Sequence, residues 1–135
     1  MARFAAVLLV LMLAGCKPAP PTLDPEAESF ARAFFEEVRS GADLDADIHL
    51  AHELKNPTTE AQIAQFRSLI PDEPYQSVEL KSWDAKTDNI GTTTRLTQVY
   101  HYMDRTLVAQ TAFFKSPAGR DPVIVGFNLT EGEPG

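Results

Sequence analysis

The sequence predicts an α+β domain in which three N-terminal helices pack on one face of a four-stranded antiparallel meander sheet. Between residues 24 and 71, apolar residues recur every three or four positions, which is the period of an amphipathic helix. From residue 76 onward, apolar and polar residues alternate in short stretches separated by turn residues, as in strands joined by hairpins. Helices followed by a run of strands are typical of the α+β class.

The first helix is predicted to run from Pro25 to Ser40. Asp24 is a capping side chain directly before a proline that suits the first turn, and Gly41 is the usual stop. Five apolar residues form a stripe along one side of this helix, with Phe35 at the edge of the stripe. They are Ala27, Phe30, Ala31, Phe34 and Val38.

Two shorter helices are expected to follow. Aspartates at the start of residues 43–54 predict a second helix, which Asn56-Pro57 should end. The capping-box spacing of residues 59–62 predicts the start of a third helix, which Pro71 should stop.

Four strands are predicted at about residues 76–83, 92–102, 106–115 and 123–129. The third is apolar on both faces, which indicates a central strand. Alternation predicts that one face of the second and fourth strands lies against the helices. The inward residues would be Leu96, Gln98, Tyr100 and Tyr102 on the second strand, and Val123, Val125, Phe127 and Leu129 on the fourth.

Composition limits the classes of protein to which this chain can belong. Its 135 residues leave room for one domain, placed here at residues 24–135. The single cysteine excludes an internal disulfide and a site of several thiolates. A net charge of −7 repels phosphate backbones, so nucleic acid is not an expected partner.

The N-terminus has the pattern of an export signal. Arg3 precedes an almost unbroken apolar run over residues 4–13, which is long enough for a signal peptide and too short to span a bilayer. Residues 1–15 are therefore predicted to be a signal peptide. An ordinary secretory signal with an incidental cysteine, or a short buried helix, are the alternatives.

The run ends in Leu13-Ala14-Gly15-Cys16, which resembles the lipobox of bacterial lipoproteins at all four positions. The resemblance implies cleavage before Cys16, a diacylglycerol on its thiol, and the membrane as a partner through that lipid. Lys17 resembles the residue that follows the cysteine in lipoproteins exported to the outer membrane, and this implies a lipid-anchored protein on its periplasmic face. Residues 16–23 are proline-rich and are predicted to be a semi-rigid lipidated tether.

The mature domain also resembles the nuclear transport factor 2-like fold, with a cystatin-like relative as the alternative. The resemblance lies in F-A-R-A-F-F-E-E-V-R-S-G of the first helix, T-x-E-A-Q-x-x-x-F-R-x-L of the third, and the closing V-I-V-G-F-N-L. It covers roughly residues 24–130 and implies a cone-shaped α+β domain. The pattern departs from that family because no strand separates the second and third helices.

The chemistry-bearing residues do not form a known catalytic pattern. His49 and His52 stand in the order H-x-x-H-E, which matches neither common zinc-protease motif, so no metal is predicted. His101 is predicted to lie on the solvent face of the second strand. No cofactor and no catalytic residue is predicted, and the chain is not expected to be an enzyme.

A polar residue within the predicted interior marks the candidate binding site. Gln98 shares a face with Tyr100 and Tyr102, and a buried amide needs hydrogen-bond partners. These three residues are the predicted lining of a pocket for a small ligand. The expected function is a membrane-anchored periplasmic lipoprotein domain with a non-catalytic binding or envelope-structural role, toward an unknown protein or small ligand. The alternative is a small pocket enzyme of the isomerase or hydrolase type.

Overall fold

The computed structural model describes residues 23–41, 43, 49–118 and 121–132. Cys16, the predicted signal peptide and nearly all of the tether lie outside these residues. The elements in chain order are α1 (Pro25–Ser40), a 3-10 turn (His52–Leu54), α2 (Pro57–Leu69), β1 (Ser77–Thr87), β2 (Thr92–His101), β3 (Thr106–Lys115) and β4 (Val123–Glu131). The strands form one antiparallel sheet in the order β1-β2-β3-β4. The α+β class and the four-stranded meander are therefore confirmed.

Helix α1 begins and ends at the predicted residues. The Asp24 side chain accepts a hydrogen bond from the backbone N–H of Glu26 at 3.0 Å. Gly41 adopts the left-handed conformation with φ 76°, which lets its N–H reach the last carbonyls of the helix. Arg67 of α2 donates from Nε to the Val38 carbonyl at 2.8 Å, so one helix caps the other.

The prediction of three helices is wrong, because the described residues contain two α-helices. The proposed second helix lies partly at residues 44–48, which are outside the described residues. Its described end is extended at Leu50, which forms a parallel bridge with Ile124, and then a single 3-10 turn. The extended conformation buries Leu50 and lets Ala51 donate to the Ile124 carbonyl at 2.9 Å. Pairing with a sheet edge thus outweighs the helical periodicity of this segment.

Asn56-Pro57 starts a helix instead of ending one. The Asn56 side chain accepts a hydrogen bond from the backbone N–H of Thr59 at 2.9 Å, and Pro57 is the first residue of α2. The predicted capping box at residues 59–62 therefore lies inside the first turn. Proline lacks the N–H that the interior of a helix needs and that its first turn does not. Asn-Pro can therefore follow the end of one helix or begin the next.

The predicted faces hold for β2 and only partly for β4. Leu96, Gln98 and Tyr100 point toward the helices and are buried. On β4, a bulge leaves Val125 without a partner, since Phe113 pairs with Ile124 and Ala112 pairs with Gly126. One extra residue inverts the alternation.

The bulge changes which β4 residues enter the core. The fully buried Ile124 takes the place predicted for Val123 and Val125, whereas Phe127 and Leu129 keep theirs. β1 also continues to Thr87, beyond its predicted end at Trp83.

The core lies between α1, α2 and one face of the sheet. Phe35, which the periodicity places at the edge of the apolar stripe, is fully buried and stacks on Tyr100 with ring centroids 3.8 Å apart. Phe30, predicted within the stripe, is only partly buried. The helix is therefore rotated so that its buried side centres on Phe34 and Phe35, and Phe30 lies toward one end of the sheet.

Candidate functional site

Of the predicted pocket residues, Gln98 and Tyr100 lie on β2 under α1, and Tyr102 directly follows the end of that strand. The exposed fraction is 1% for Gln98, 0% for Tyr100 and 5% for Tyr102. Phe35 covers the Tyr100 ring, and the Tyr75 ring meets that ring edge-on at 5.0 Å. The side chains are thus packed into the core, and a role for them in ligand binding stays a prediction.

The polar atoms of these three residues are poorly satisfied. Gln98 Nε2 donates to the Glu28 carbonyl at 3.4 Å, a long hydrogen bond. Gln98 Oε1 and the hydroxyls of Tyr100 and Tyr102 have no hydrogen-bond partner among the described residues.

The two phenols are held in their neutral form. Burial raises the pKa of Tyr100 far above its usual value of 10, and the neighbouring Tyr75 adds to the effect. Burial and the nearby Glu36 carboxylate raise the pKa of Tyr102 to about 12. Neither phenol therefore ionises readily near neutral pH, and neither is suited to act as a base or nucleophile.

Replacing Gln98 by leucine should lower the free energy of unfolding by less than about 1 kcal/mol, or raise it. The amide makes one long hydrogen bond, and its oxygen is buried without a described partner. Leucine therefore leaves few polar groups without a hydrogen bond that they had before. Urea unfolding of wild type and Gln98→Leu measures the difference. Thr111→Val, which also removes a buried hydroxyl without a described partner, is the matched comparison. A loss of about 1–3 kcal/mol specific to Gln98→Leu would reveal an obligatory partner and contradict this expectation.

A cleft opens at the other end of the same sheet face, where α1 begins. We call it the end cleft, and its volume is about 350 Å³, at the lower end of the range of small-molecule sites. It is lined by Leu23, Asp24, Glu26, Ala27, Phe30, Trp83, Thr92, Thr94, Phe113, Lys115 and Pro122. The strand positions Thr92 and Thr94 pair with Lys115 and Phe113, so this is the end of the sheet away from the buried tyrosines.

Three aromatic side chains line the end cleft. The Phe30 and Phe113 rings meet edge-on at 5.1 Å, and Trp83 of β1 is also partly exposed to the space. Ala27 lines the cleft from the first turns of α1. Its small side chain leaves room between helix and sheet where a larger residue would fill it.

The rim of the end cleft carries both signs of charge. Lys115 is exposed and makes no ion pair with any residue that the structure describes. Asp24 and Glu26 line the same cleft, and Asp24 is held in place by its capping hydrogen bond. The arrangement can accept a molecule with an apolar body and a head of mixed charge.

A second depression, the outer groove, lies on the face of the sheet away from the helices. Its volume is also about 350 Å³. Polar residues surround a floor of two small residues, Ala112 and Gly126. The polar residues are Ser82, Asp84, Arg95, Thr97, Gln110 and Asn128. Such a surface suits a polar ligand and offers little to an apolar one.

None of the three histidines lines the end cleft or the outer groove. The partly buried His49 ring meets Phe30 edge-on at 5.5 Å, whereas His52 is exposed in the 3-10 turn. His101 lies on the outer face of the sheet, 3.3 Å from Glu79 Oε1. Within the described ranges, no group of three or more His, Cys, Asp or Glu side chains is placed to hold a metal ion.

Sequence reasoning missed the end cleft. It identified Phe30 as a core residue and treated Trp83, Lys115 and Thr94 only as parts of strands. The single tryptophan of the chain was the one available signal, yet alternation from Val78 and Leu80 places Trp83 on the outer face. Only the bulge between Leu80 and Ser82 turns it inward, opposite Leu96. That it faces the start of α1 depends on how the helix crosses the sheet, which no local pattern specifies.

Comparison with protein-family models, with curated proteins and with solved structures finds no match to this chain. In the part of the chain that the structure describes, no helix is long and apolar enough to span a membrane.

Proposed function

We propose that this chain is a lipid-anchored domain of the bacterial cell envelope that binds a ligand without catalysis. The anchor would be a lipid on Cys16, and the site would be the periplasmic face of the outer membrane. The support for the anchor is Leu13-Ala14-Gly15-Cys16 at the end of an apolar run, with Lys17 after the cysteine. A second acyl chain makes such anchoring stable.

The position of the end cleft is the observation that carries the binding role. Leu23 packs against the core and lines the cleft, and it stands seven positions after Cys16. A fully extended chain covers at most about 3.3–3.6 Å per residue, so these positions are at most about 25 Å apart. A lipid on Cys16 would keep the cleft close to the membrane surface.

The ionisable groups favour binding over catalysis. The buried phenols are held neutral. The His101–Glu79 pair lies in an open depression on the outer face of the sheet, where both side chains are exposed to solvent. General acid–base catalysis needs such a pair within reach of a bound substrate. No described contact favours the isomerase or hydrolase alternative.

Replacing Cys16 by serine should abolish lipid labelling and release the protein from the membrane or leave its signal uncleaved. The measurement is metabolic labelling with an alkyne fatty acid, followed by membrane fractionation. Lys17→Asp is the control, because it leaves Cys16 intact and should keep the label while reducing export to the outer membrane. Equal labelling of wild type and Cys16→Ser would overturn the proposed anchor.

A further inference from the structure

We propose that the end cleft binds a single-chain zwitterionic amphiphile, with its acyl chain between α1 and the sheet. Lys115 would hold the phosphate of the head and Glu26 its ammonium group. The inference rests on the binding role proposed above and adds the chemical class of the ligand.

The walls of the cleft match an acyl chain. Ala27, Phe30, Trp83 and Phe113 present apolar surface, and the partly buried Leu23 and Pro122 extend it. Such surface favours methylene groups over water. The side-chain donors of the lining are confined to Thr92, Thr94 and Lys115, fewer than a sugar or nucleotide needs. The outer groove, by contrast, is ringed by hydroxyl, amide and charged side chains. An apolar chain is therefore better accommodated in the end cleft.

The rim matches a head that carries both charges. Lys115 supplies a cation that is unpaired among the described residues, and Glu26 is an exposed carboxylate on the opposite element. A purely anionic head would meet Asp24 and Glu26 as well as the net charge of −7, which disfavours it. A phosphate joined to an ammonium group satisfies both sides of the rim.

The single tryptophan makes binding directly measurable. Trp83 lines the cleft, so an acyl chain that displaces water from its ring should shift its fluorescence to shorter wavelength. The experiment uses the mature chain, residues 16–135, with Cys16→Ser so that no lipid is attached. All buried core residues lie between Ala31 and Leu129, so this chain keeps the whole described core, and a cooperative melt verifies its folding.

The probes are octyl-, decyl- and dodecylphosphocholine, each kept below its micelle concentration. We expect a saturable shift whose affinity rises up to about fourfold for each added methylene until the cleft is filled. Decyl sulfate and decyl maltoside carry the same chain with an anionic and a neutral head. The zwitterionic probe should bind about threefold or more tightly than either.

Two pairs of variants locate the bound molecule. Ala27→Leu places a larger side chain in the cleft and should weaken decylphosphocholine about tenfold or more, whereas Ala33→Leu on the exposed side of α1 should not. Lys115→Gln should weaken decylphosphocholine about threefold and leave decyl maltoside unchanged, whereas Lys81→Gln should affect neither probe.

The possible results distinguish a failure of the ligand inference from a failure of the proposed anchor. Equal affinity of wild type and Ala27→Leu, or equal affinity for all three heads, would overturn the proposal. Because the probe measurement uses unlipidated protein, it does not depend on the anchor. Lipid labelling that requires Cys16, together with no probe binding, would overturn this inference and leave the anchor in place. Saturable probe binding, together with membrane attachment that does not require Cys16, would support this inference and overturn the anchor.

Discussion

Replacing Gly91 by alanine should destabilise the domain by about 3 kcal/mol or more. Gly91 lies in the turn between β1 and β2, with φ at 154°, a conformation that side chains rarely adopt. The added Cβ would lie 2.5 Å from the Lys115 carbonyl oxygen and 2.5 Å from the Phe114 ring. The carbonyl belongs to the last residue of β3, one of the two inner strands, so it cannot move aside without disturbing the sheet.

The turn itself depends on Gly91. Asp88 accepts hydrogen bonds from the backbone N–H groups of Ile90 and Gly91, and its own N–H donates to the Gly91 carbonyl at 2.9 Å. A displaced Gly91 would therefore loosen the hairpin as well as clash with β3.

Urea unfolding followed by circular dichroism measures the loss. The matched control is Gly126→Ala, where φ is unstrained and the new Cβ would meet only the Ala112 Cβ at an ordinary 3.5 Å. That control should stay within about 1 kcal/mol of wild type. Similar stabilities of Gly91→Ala and Gly126→Ala would show that the turn relaxes freely and that its described geometry is not required.

The domain should lose stability steeply above pH 10, and Tyr100→Phe with Tyr102→Phe should remove much of that loss. Burial raises the pKa of both phenols, that of Tyr102 to about 12. In the unfolded chain both titrate near 10. The folded state therefore keeps protons that the unfolded state releases.

The direction of this pH effect follows from the number of protons that the folded and unfolded states bind. Below pH 10 the phenols are neutral in both states, and their preference for the folded state is fully present. As the pH rises from 10 toward the folded pKa values, each retained proton costs about 1.4 kcal/mol per pH unit. The loss continues through about pH 12 for Tyr102 and beyond it for Tyr100.

Melting temperatures between pH 8 and pH 11.5 provide the measurement. The double phenylalanine variant should melt with a flatter pH profile than wild type, and lysine titration is common to both proteins. Thr111→Val, which removes a buried hydroxyl that does not titrate, should leave the profile parallel to that of wild type. Parallel profiles for wild type and the double variant would mean that the two phenols ionise freely in the folded domain.

Local signals in the sequence predicted most of the secondary structure. The bounds of α1 follow from Asp24, Pro25 and Gly41, and the bounds of β3 follow from its flanking turns. Period-two alternation also placed Gln98 and Tyr100 on the buried face of β2. These features depend on neighbours a few residues apart, so the sequence contains their physical causes.

The predictions of secondary structure were wrong where contacts with residues distant in the sequence outweigh local preferences. Residues 50–54 carry a helical pattern, yet Leu50 is extended because the backbone of Ile124 offers a partner at the sheet edge. Asn56-Pro57 fits a helix end as well as a helix start, and only the hydrogen bond to Thr59 distinguishes them. The bulge at Val125 inverts the β4 pattern because register is set against Phe113 and Ala112 of the adjoining strand.

The sequence by itself determined the α+β class, the order of the strands, and the residues that predict an export signal and lipid anchor. Only the tertiary structure decided where open space remains. The tyrosine end of the helix–sheet interface is closed because Phe35 stacks on Tyr100, and the other end is open because Ala27 is small where α1 crosses Trp83 and Phe113. Secondary structure follows from short-range periodicity, whereas a cleft is the volume that packed side chains from four separate elements leave unfilled.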